Sequence, residues 1–485
     1  MLSRREMRLV PRGDGAGVMF LWKGRFKADT DQRVRDFTQS LDLDWCLAED
    51  DIRGSLAHAK MLCEVGIITR EDLVLIERGL NEILEEVRSG QFVPDPGLED
   101  VHMNVEARLT AKVGPSGAKL HSGRSRNDQV ATAVRLYLRR RLKDLKLSLG
   151  GLLKNLLELS RRHEDVIVPG YTHLQQAQPI SLGHYWMSHF WAFLRDGERL
   201  DFALRSLRLC PLGAGALAGS TLPLDRFMTA RELGFEGPTE NSLDTVAQRD
   251  VLLDVHYFCL SCALHWSRLC EDLIIYASRE FGWMDLPDQF CTGSSMMPQK
   301  KNPDVLELSR GKASGVLGRF VDLACMVKGL PLTYNRDLQE DKRGLFENLN
   351  VTQSVLSVLS ALLEGVQVDP DRGVKAFEDG LALATDVAEY LVMRGVPFRE
   401  AHEKVGKLVR WCVDNQRSLR TLGIEEISRF IPEAAEDLLP LLDVKASVDR
   451  RTTYGGTSRE QVRRQREEGE RRLSAWLSDS EVPLD

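Results

Sequence analysis

The chain has 485 residues, with 65 Lys and Arg against 72 Asp and Glu for a net charge of −7. That length can bury a large core, and so mild a charge gives no reason to expect nucleic-acid or membrane partners. Leu, Ala, Glu and Arg dominate and long segments lack Pro, which predicts a mostly helical protein. The nine cysteines show no framework spacing. Cys259 and Cys262 form a C-x-x-C on an apolar helix without a second pair, so a core role is expected rather than a metal site, and isolated thiols suit a reducing, cytoplasmic setting. No run of eighteen apolar residues is present, so no membrane span is expected.

In chain order, residues 1–18 are polar and basic without an apolar stretch, so they are not read as a secretory leader. Leu9-Val10-Pro11-Arg12-Gly13 resembles a protease recognition sequence, and 1–18 are read as a disordered extension. Residues 19–120 are expected to form an N-terminal helical domain, with short helices over 40–90 broken at Gly66, a loop at 91–97 and a helix over 99–113. Residues 121–367 are expected to form a central domain of long helices, carrying a catalytic loop at 288–303. A Gly/Ser-rich segment over 114–127 leads into a long helix over 128–162. There Leu138, Leu142, Leu145, Leu149, Leu152, Leu156 and Leu159 recur at 4-3-4-3-4-3 spacing, a heptad pattern that asks for a partner helix along its length. Similar spacing from Val251 to Tyr276 predicts a helix over 251–280, and a third is predicted over 303–328. Helices of roughly 25 to 35 residues span about 40–50 Å. They fit a long bundle completed by other copies of the chain. Residues 368–485 are expected to form a C-terminal domain of smaller helices, with turns at Gly395-Val396-Pro397 and Gly455-Gly456. Arg459–Arg472 read as a solvated surface helix.

The run Thr292-Gly293-Ser294-Ser295-Met296-Met297-Pro298-Gln299-Lys300-Lys301-Asn302-Pro303 brings hydroxyls, N–H groups, an ammonium and an amide within reach of one small anion. Asn302 is expected to cap a helix begun by Pro303. Acid–base chemistry on a small carboxylate needs a base, donors that hold the anion and a proton donor. Ser294 and Ser295 are candidate bases, provided Lys300 and the loop N–H groups activate them. Asn302 suits a substrate carboxylate, and Glu307 suits a histidine partner. In Gly170-Tyr171-Thr172-His173-Leu174-Gln175-Gln176, His173 lies among polar residues, and a carboxylate such as Glu307 would raise its pKa and fix its tautomer. His58, His163, His184, His189, His256, His265 and His402 are given no catalytic task. Three further segments are rich in donors and acceptors. They are His121-Ser122-Gly123-Arg124-Ser125-Arg126-Asn127-Asp128-Gln129, where Asp128 reads as a helix cap, Glu99 to Glu106, and Tyr334 to Lys342. In the last, Tyr334 and Gln339 can hydrogen-bond a polar substrate and Lys342 can meet a carboxylate.

The Gly-Ser-Ser-x-Met-Pro-x-Lys-x-Asn-Pro run resembles the hallmark loop of the fumarase/aspartase superfamily, whose members cleave C–N or C–O bonds and release fumarate. Taken with the His121–Gln129 run, Gly395-Val396-Pro397-Phe398-Arg399-Glu400-Ala401-His402 and Gly455-Gly456-Thr457-Ser458, the chain is similar to the argininosuccinate lyase family over about residues 21–470. The resemblance implies an all-α fold with a long central bundle, and a homotetramer whose 20-helix core takes five helices from each chain. It implies reversible cleavage of argininosuccinate to arginine and fumarate, in arginine biosynthesis, without a metal or organic cofactor, in pockets shared among three subunits. Ser294 would be the loop serine taken as base, and His173, paired with Glu307, the other proton-transfer residue; which of the two takes the first proton stays open. Ser40, Asn127, Thr172, Tyr334, Gln339 and Lys342 match substrate-binding positions, and Ser125, Arg126, Lys300 and Asn302 match positions lining the pocket beside Ser295. Three departures stand out. Lys23 replaces a usual Gly, Ala133 a usual Asp, and Ala247-Gln248 a usual Ser-Asp. Alternatives are a sister lyase acting on another succinyl-amine, against which the Ser-Arg-Asn-Asp-Gln run argues, and a non-catalytic relative such as lens δ-crystallin, against which Ser294, His173, Lys300 and Glu307 argue.

Overall fold

The computed structural model describes residues 30–478. The expected extension at 1–18 and the departure at Lys23 lie outside the described residues. Among the described residues, five helices have 24 or more residues: Arg126–Arg162, Leu182–Ser206, Asp250–Ala277, Asp304–Val327 and Asp341–Glu364. They are called here the first to fifth long helices. The first opens with a capping box, in which Ser125 Oγ accepts from the Asn127 N–H and Asp128 accepts from the Ser125 N–H. Its 37 residues span about 55 Å at 1.5 Å per residue.

The leucine stripe from Leu138 to Leu159 is wholly buried. The chain itself supplies the partner helices that this stripe asks for. The second helix runs antiparallel to the first, with Ser160 Oγ donating to the Gly183 carbonyl at 3.0 Å and Trp186 Nε1 to His163 at 3.1 Å. The fifth runs parallel to it, joined by Arg141–Asn350 and Asn155–Ser360 hydrogen bonds. The third lies antiparallel to the second through Tyr185–Asp272 and Ser261–Asp196. The fourth runs back along the third, where Trp266 Nε1 donates to the Ser309 carbonyl at 2.9 Å.

The tail helix, Arg459–Ser478, is not merely solvated. It buries Val462, Leu473 and Trp476 against the first and second helices. Two glycines permit the close approach: a Cβ on Gly197 would sit 2.8 Å from the Trp476 ring, and one on Gly469 would sit 2.7 Å from Phe190. The charged residues that suggested a solvated helix occupy its outer face, where Arg463 and Arg466 pair with Glu164. The second and fifth long helices went unforeseen. A hairpin, Ile167–Thr172 with Gln175–Ser181, also went unforeseen. Phe377, Leu391, Leu408, Ile427 and Leu438 belong to a second buried cluster under the smaller C-terminal helices, with Gly395 turning the chain at a φ of +88°. One flank of the bundle is apolar and exposed, where Leu264 on the third helix and Leu308, Leu317 and Val321 on the fourth face outward.

Candidate active site

The helix directions sort the candidate residues into two groups at opposite ends of the bundle. The first helix ends, and the second and fourth begin, at what is called here the hairpin end. The tip of the 167–181 hairpin carries Thr172, His173 and Leu174, all exposed. Thr172 pairs with Gln175, so His173 and Leu174 are the two central residues of the turn, at φ of +58° and +54°. A two-residue hairpin turn demands that left-handed conformation, which glycine or asparagine adopts more readily. Tyr171 anchors the hairpin against Tyr276, in the last turn of the third helix, and Phe281, just beyond it.

The 292–302 segment stands at the same end. Its base is closed by a two-residue ladder, Thr292 with Asn302 and Gly293 with Lys301. Asn302 therefore does not cap the fourth helix. The ladder holds it, and its amide donates to Thr292 Oγ1 at 3.5 Å, while Pro303 occupies the cap position without a side-chain bond. Within the loop, Ser294 Oγ accepts from the Met296 and Met297 N–H groups at 3.3 and 3.1 Å. Two donors on one hydroxyl oxygen favour its deprotonated form, which is what a serine base requires. Lys300 is exposed, Ser295 is exposed, and Lys301 pairs with Asp285 and Asp288. Glu307 is exposed in the first turn of the fourth helix. No described hydrogen bond or ion pair joins His173 to Glu307, Ser294 or Lys300 within the chain.

The opposite end, called here the capped end, is where the first, third and fifth helices begin. Here the polar residues are paired with one another. Arg126 bridges to Asp100 at 3.1 Å, and Asn127 Nδ2 donates to the Ala216 carbonyl at 3.1 Å. Ser40 Oγ donates to Asp44 at 2.6 Å, and Asp44 accepts the Val101 N–H at 3.0 Å. Burial drives the Asp44 carboxyl up to about 6 despite nearby His102. Gln339 and Arg336 donate to the Thr38 carbonyl, and Arg336 also pairs with Glu99. Burial pushes the Tyr334 hydroxyl up, against the pull of Arg336.

Lys342 is buried, with its ammonium on Asp341 at 2.7 Å, and the other Asp341 oxygen accepts from Arg249. Burial alone would raise the Asp341 carboxyl; Lys342 and Arg249 outweigh it and hold the group below the ordinary carboxylate range. A crevice beside this triad is lined by Val130, Arg135, Gln248, Arg249, Asp341 and Lys342. Gln248, one of the departures, accepts from Arg135, which also donates to the Leu209 carbonyl. Burial holds that guanidinium down to about 10. Ala133 is buried beside Asp50, Asp51 and Arg124.

A further element at the capped end escaped the sequence reading. Residues 211–223 form a glycine-bearing loop whose stem is buried and whose tip, from Ala216, is exposed. The signal was the Pro211-Leu212-Gly213-Ala214-Gly215-Ala216 run, whose closely spaced glycines mark a loop held near another backbone.

Comparison with known proteins decides the family. A lyase family model matches residues 24–318, and an argininosuccinate lyase C-terminal model matches residues 381–449. The chain is 46% identical to the argininosuccinate lyase of Halorhodospira halophila over 468 residues, 96% of this chain and 100% of the relative. This chain belongs to the argininosuccinate lyase family. To the argininosuccinate lyase of Thermus thermophilus it is 48% identical over 454 residues, covering 93% and 98% of the two chains. Among solved structures, EDDS lyase in complex with formate is similar at a TM-score of 0.82 and 27% identity, over 92% of this chain and 90% of that one. A class II fumarase from Schistosoma mansoni shares the fold at a TM-score of 0.72 and 17% identity, over 83% and 90%. As a family member the chain is a carbon–nitrogen lyase. No helix among the described residues is long and apolar enough to cross a membrane.

Proposed function

We propose that the chain cleaves argininosuccinate to arginine and fumarate, in pockets that copies of a homotetramer complete for one another. A base, Ser294 or His173, removes a proton from the carbon β to the departing nitrogen. The electron pair passes into the neighbouring carboxylate as an aci-anion, held by Lys300 and Asn302. It then returns to form the C=C bond as the C–N bond breaks. The second member of the Ser294–His173 pair protonates the guanidino nitrogen, leaving arginine and fumarate. Glu307 pairs with His173 and fixes its tautomer. Ser40, Ser125, Arg126, Asn127, Thr172, Ser295, Tyr334, Gln339 and Lys342 orient the substrate.

One observation carries the shared pocket. Ser294 and His173 lie at one end of a helix spanning about 55 Å, and Asn127, Arg126 and Lys342 lie at the other. No single copy can close both groups on a substrate that small, whereas antiparallel copies bring the hairpin end of one to the capped end of another. The exposed apolar flank on the third and fourth helices suits the contact between bundles, which would complete a 20-helix core. A cytoplasmic enzyme serving arginine synthesis fits this reading.

The test mixes two inactive variants, Ser294→Ala and Lys342→Met, under conditions that exchange subunits, and follows fumarate release at about 240 nm. Recovered activity is expected, because some mixed pockets draw both native residues from different copies. A mixture as inactive as its parts, at a light-scattering mass of four chains, would defeat the shared pocket. Wild-type protein that releases no fumarate from argininosuccinate would defeat the activity itself.

A further inference from the structure

Asp128 reads from the sequence as a helix cap, and it is one, but capping uses only one of its oxygens. Oδ1 accepts from the Ser125 N–H at 2.9 Å. Oδ2 reaches across to the glycine loop, where it accepts from the Gly213 N–H at 2.9 Å and the Gly215 N–H at 2.8 Å. The carboxylate is fully buried. It ties two segments that are 85 and 87 residues apart in sequence. A second tie follows immediately, where the Asn127 amide donates to the Ala216 carbonyl.

The loop is built for this grip. Gly213 and Gly215 have φ of +89° and +66°, and a Cβ on either would meet another group at 2.8 Å, the Arg226 side chain or the Gly219 carbonyl. Arg226 fixes the stem from behind through the Leu212 and Thr239 carbonyls. Beyond the stem, Ala216 to Pro223 are exposed. The arrangement is a buried stem with an exposed tip, held beside Ser125, Arg126 and Asn127, where the Ser242 hydroxyl also donates to the Leu217 carbonyl.

We propose that Asp128 is a positioning residue, whose bonds set the distance between the Ser125–Asn127 turn and the 211–223 loop, and that the loop tip forms a wall of the substrate pocket. This rests on the function proposed above, because it takes Asn127 as a substrate-binding group. Asp128 does not touch the substrate. It fixes where the Asn127 amide sits and keeps the loop from collapsing over it. An uncharged amide in its place would offer one acceptor oxygen and one N–H pair to three N–H donors, so one tie must fail.

Two measurements test this. The first is steady-state kinetics of Asp128→Asn with argininosuccinate, beside its thermal midpoint and mass. A KM raised tenfold or more with kcat lowered less than threefold is expected. A folded variant with unchanged KM would overturn the proposal, since a purely structural tie would lower the midpoint and leave KM alone. The second uses the wild-type protein, so it holds even if the variant fails to fold. Amide hydrogen exchange is followed with and without fumarate plus arginine. Slower exchange across 211–223 with ligand is expected, and its absence would overturn the pocket wall. Protection without turnover of argininosuccinate would keep the wall and remove the proposed activity, while turnover without protection would do the reverse.

Discussion

At the capped end of the bundle the candidate polar groups are buried or half-buried and most are hydrogen-bonded or ion-paired to neighbours, whereas at the hairpin end most stand in the open. Arg249, Asp341 and Lys342 are each at most 5% exposed and satisfy one another. Ser125, Asp128 and Arg126 are tied to their neighbours before any substrate arrives. His173, Lys300 and Glu307, by contrast, are exposed, and the ion pairs of Lys301 reach into solvent. The difference teaches where each cost is met. The capped end holds its geometry through folding, with the charges desolvated in advance. Under the proposed function the hairpin end contributes the groups that change protonation, and in the single chain these are exposed.

Substitutions should therefore separate stability from turnover. The largest effect is expected from Asp341→Asn, which leaves Arg249 and Lys342 buried without a counter-charge and should cost about 3 to 5 kcal/mol, read as a lower urea midpoint at fixed protein concentration. An unchanged midpoint would mean that the capped end is not held by its charges. Next come Ser294→Ala and His173→Asn, each expected to lower kcat by about 100-fold or more with the urea midpoint unmoved. A large loss of stability in either would break the contrast from the other side.

A smaller effect concerns acid. His58, at the capped end, is buried with Nε2 on the Ser122 carbonyl. Burial, then Arg124, holds its pKa down to about 3. The unfolded chain would take up a proton here near the ordinary histidine value of about 6.5. The unfolded state therefore binds more protons between those two values, and stability present above pH 6.5 is lost as pH falls toward 3. His58→Gln should flatten that part of the stability profile, as measured by urea unfolding at stepped pH. The smallest effect is expected from Lys301→Met at the hairpin end. Its pairs with Asp285 and Asp288 are solvent-screened, so the thermal midpoint should not move measurably.

Much of the bundle was legible in the sequence. Leu138 to Leu159 announced a buried stripe because a heptad repeat has few other uses over three turns and more. Val251, Val255, Phe258 and Cys262 did the same for the third helix. The second and fifth helices were missed although Trp186, Phe190 and Phe193, or Leu345, Leu349 and Leu356, carry similar spacing. In each, histidines, asparagines or charged residues interrupt the pattern, and they are buried with partners that the sequence does not announce, as Asn348 is with His256. The hairpin was missed because its period of two is broken at Gly170, where the pairing register shifts. The site segments were legible as motifs. Their sorting into two ends was not, since motif spacing along the chain carries no record of helix direction.

By itself, then, the amino-acid order determined helical content, the buried faces of two long helices and the presence of a third, the family likeness and the residue types able to move a proton. Only the tertiary structure decided that the leucine stripe is covered from within the chain, that Asn302 is held by Thr292 instead of capping a helix, that Lys342 is buried against Asp341, and that the tail helix docks on Phe190. The physical reason is range. Capping, periodicity and turn chemistry act over a few residues and are written locally. Desolvation, ion pairing and close helix approach depend on groups that only the folded chain brings together.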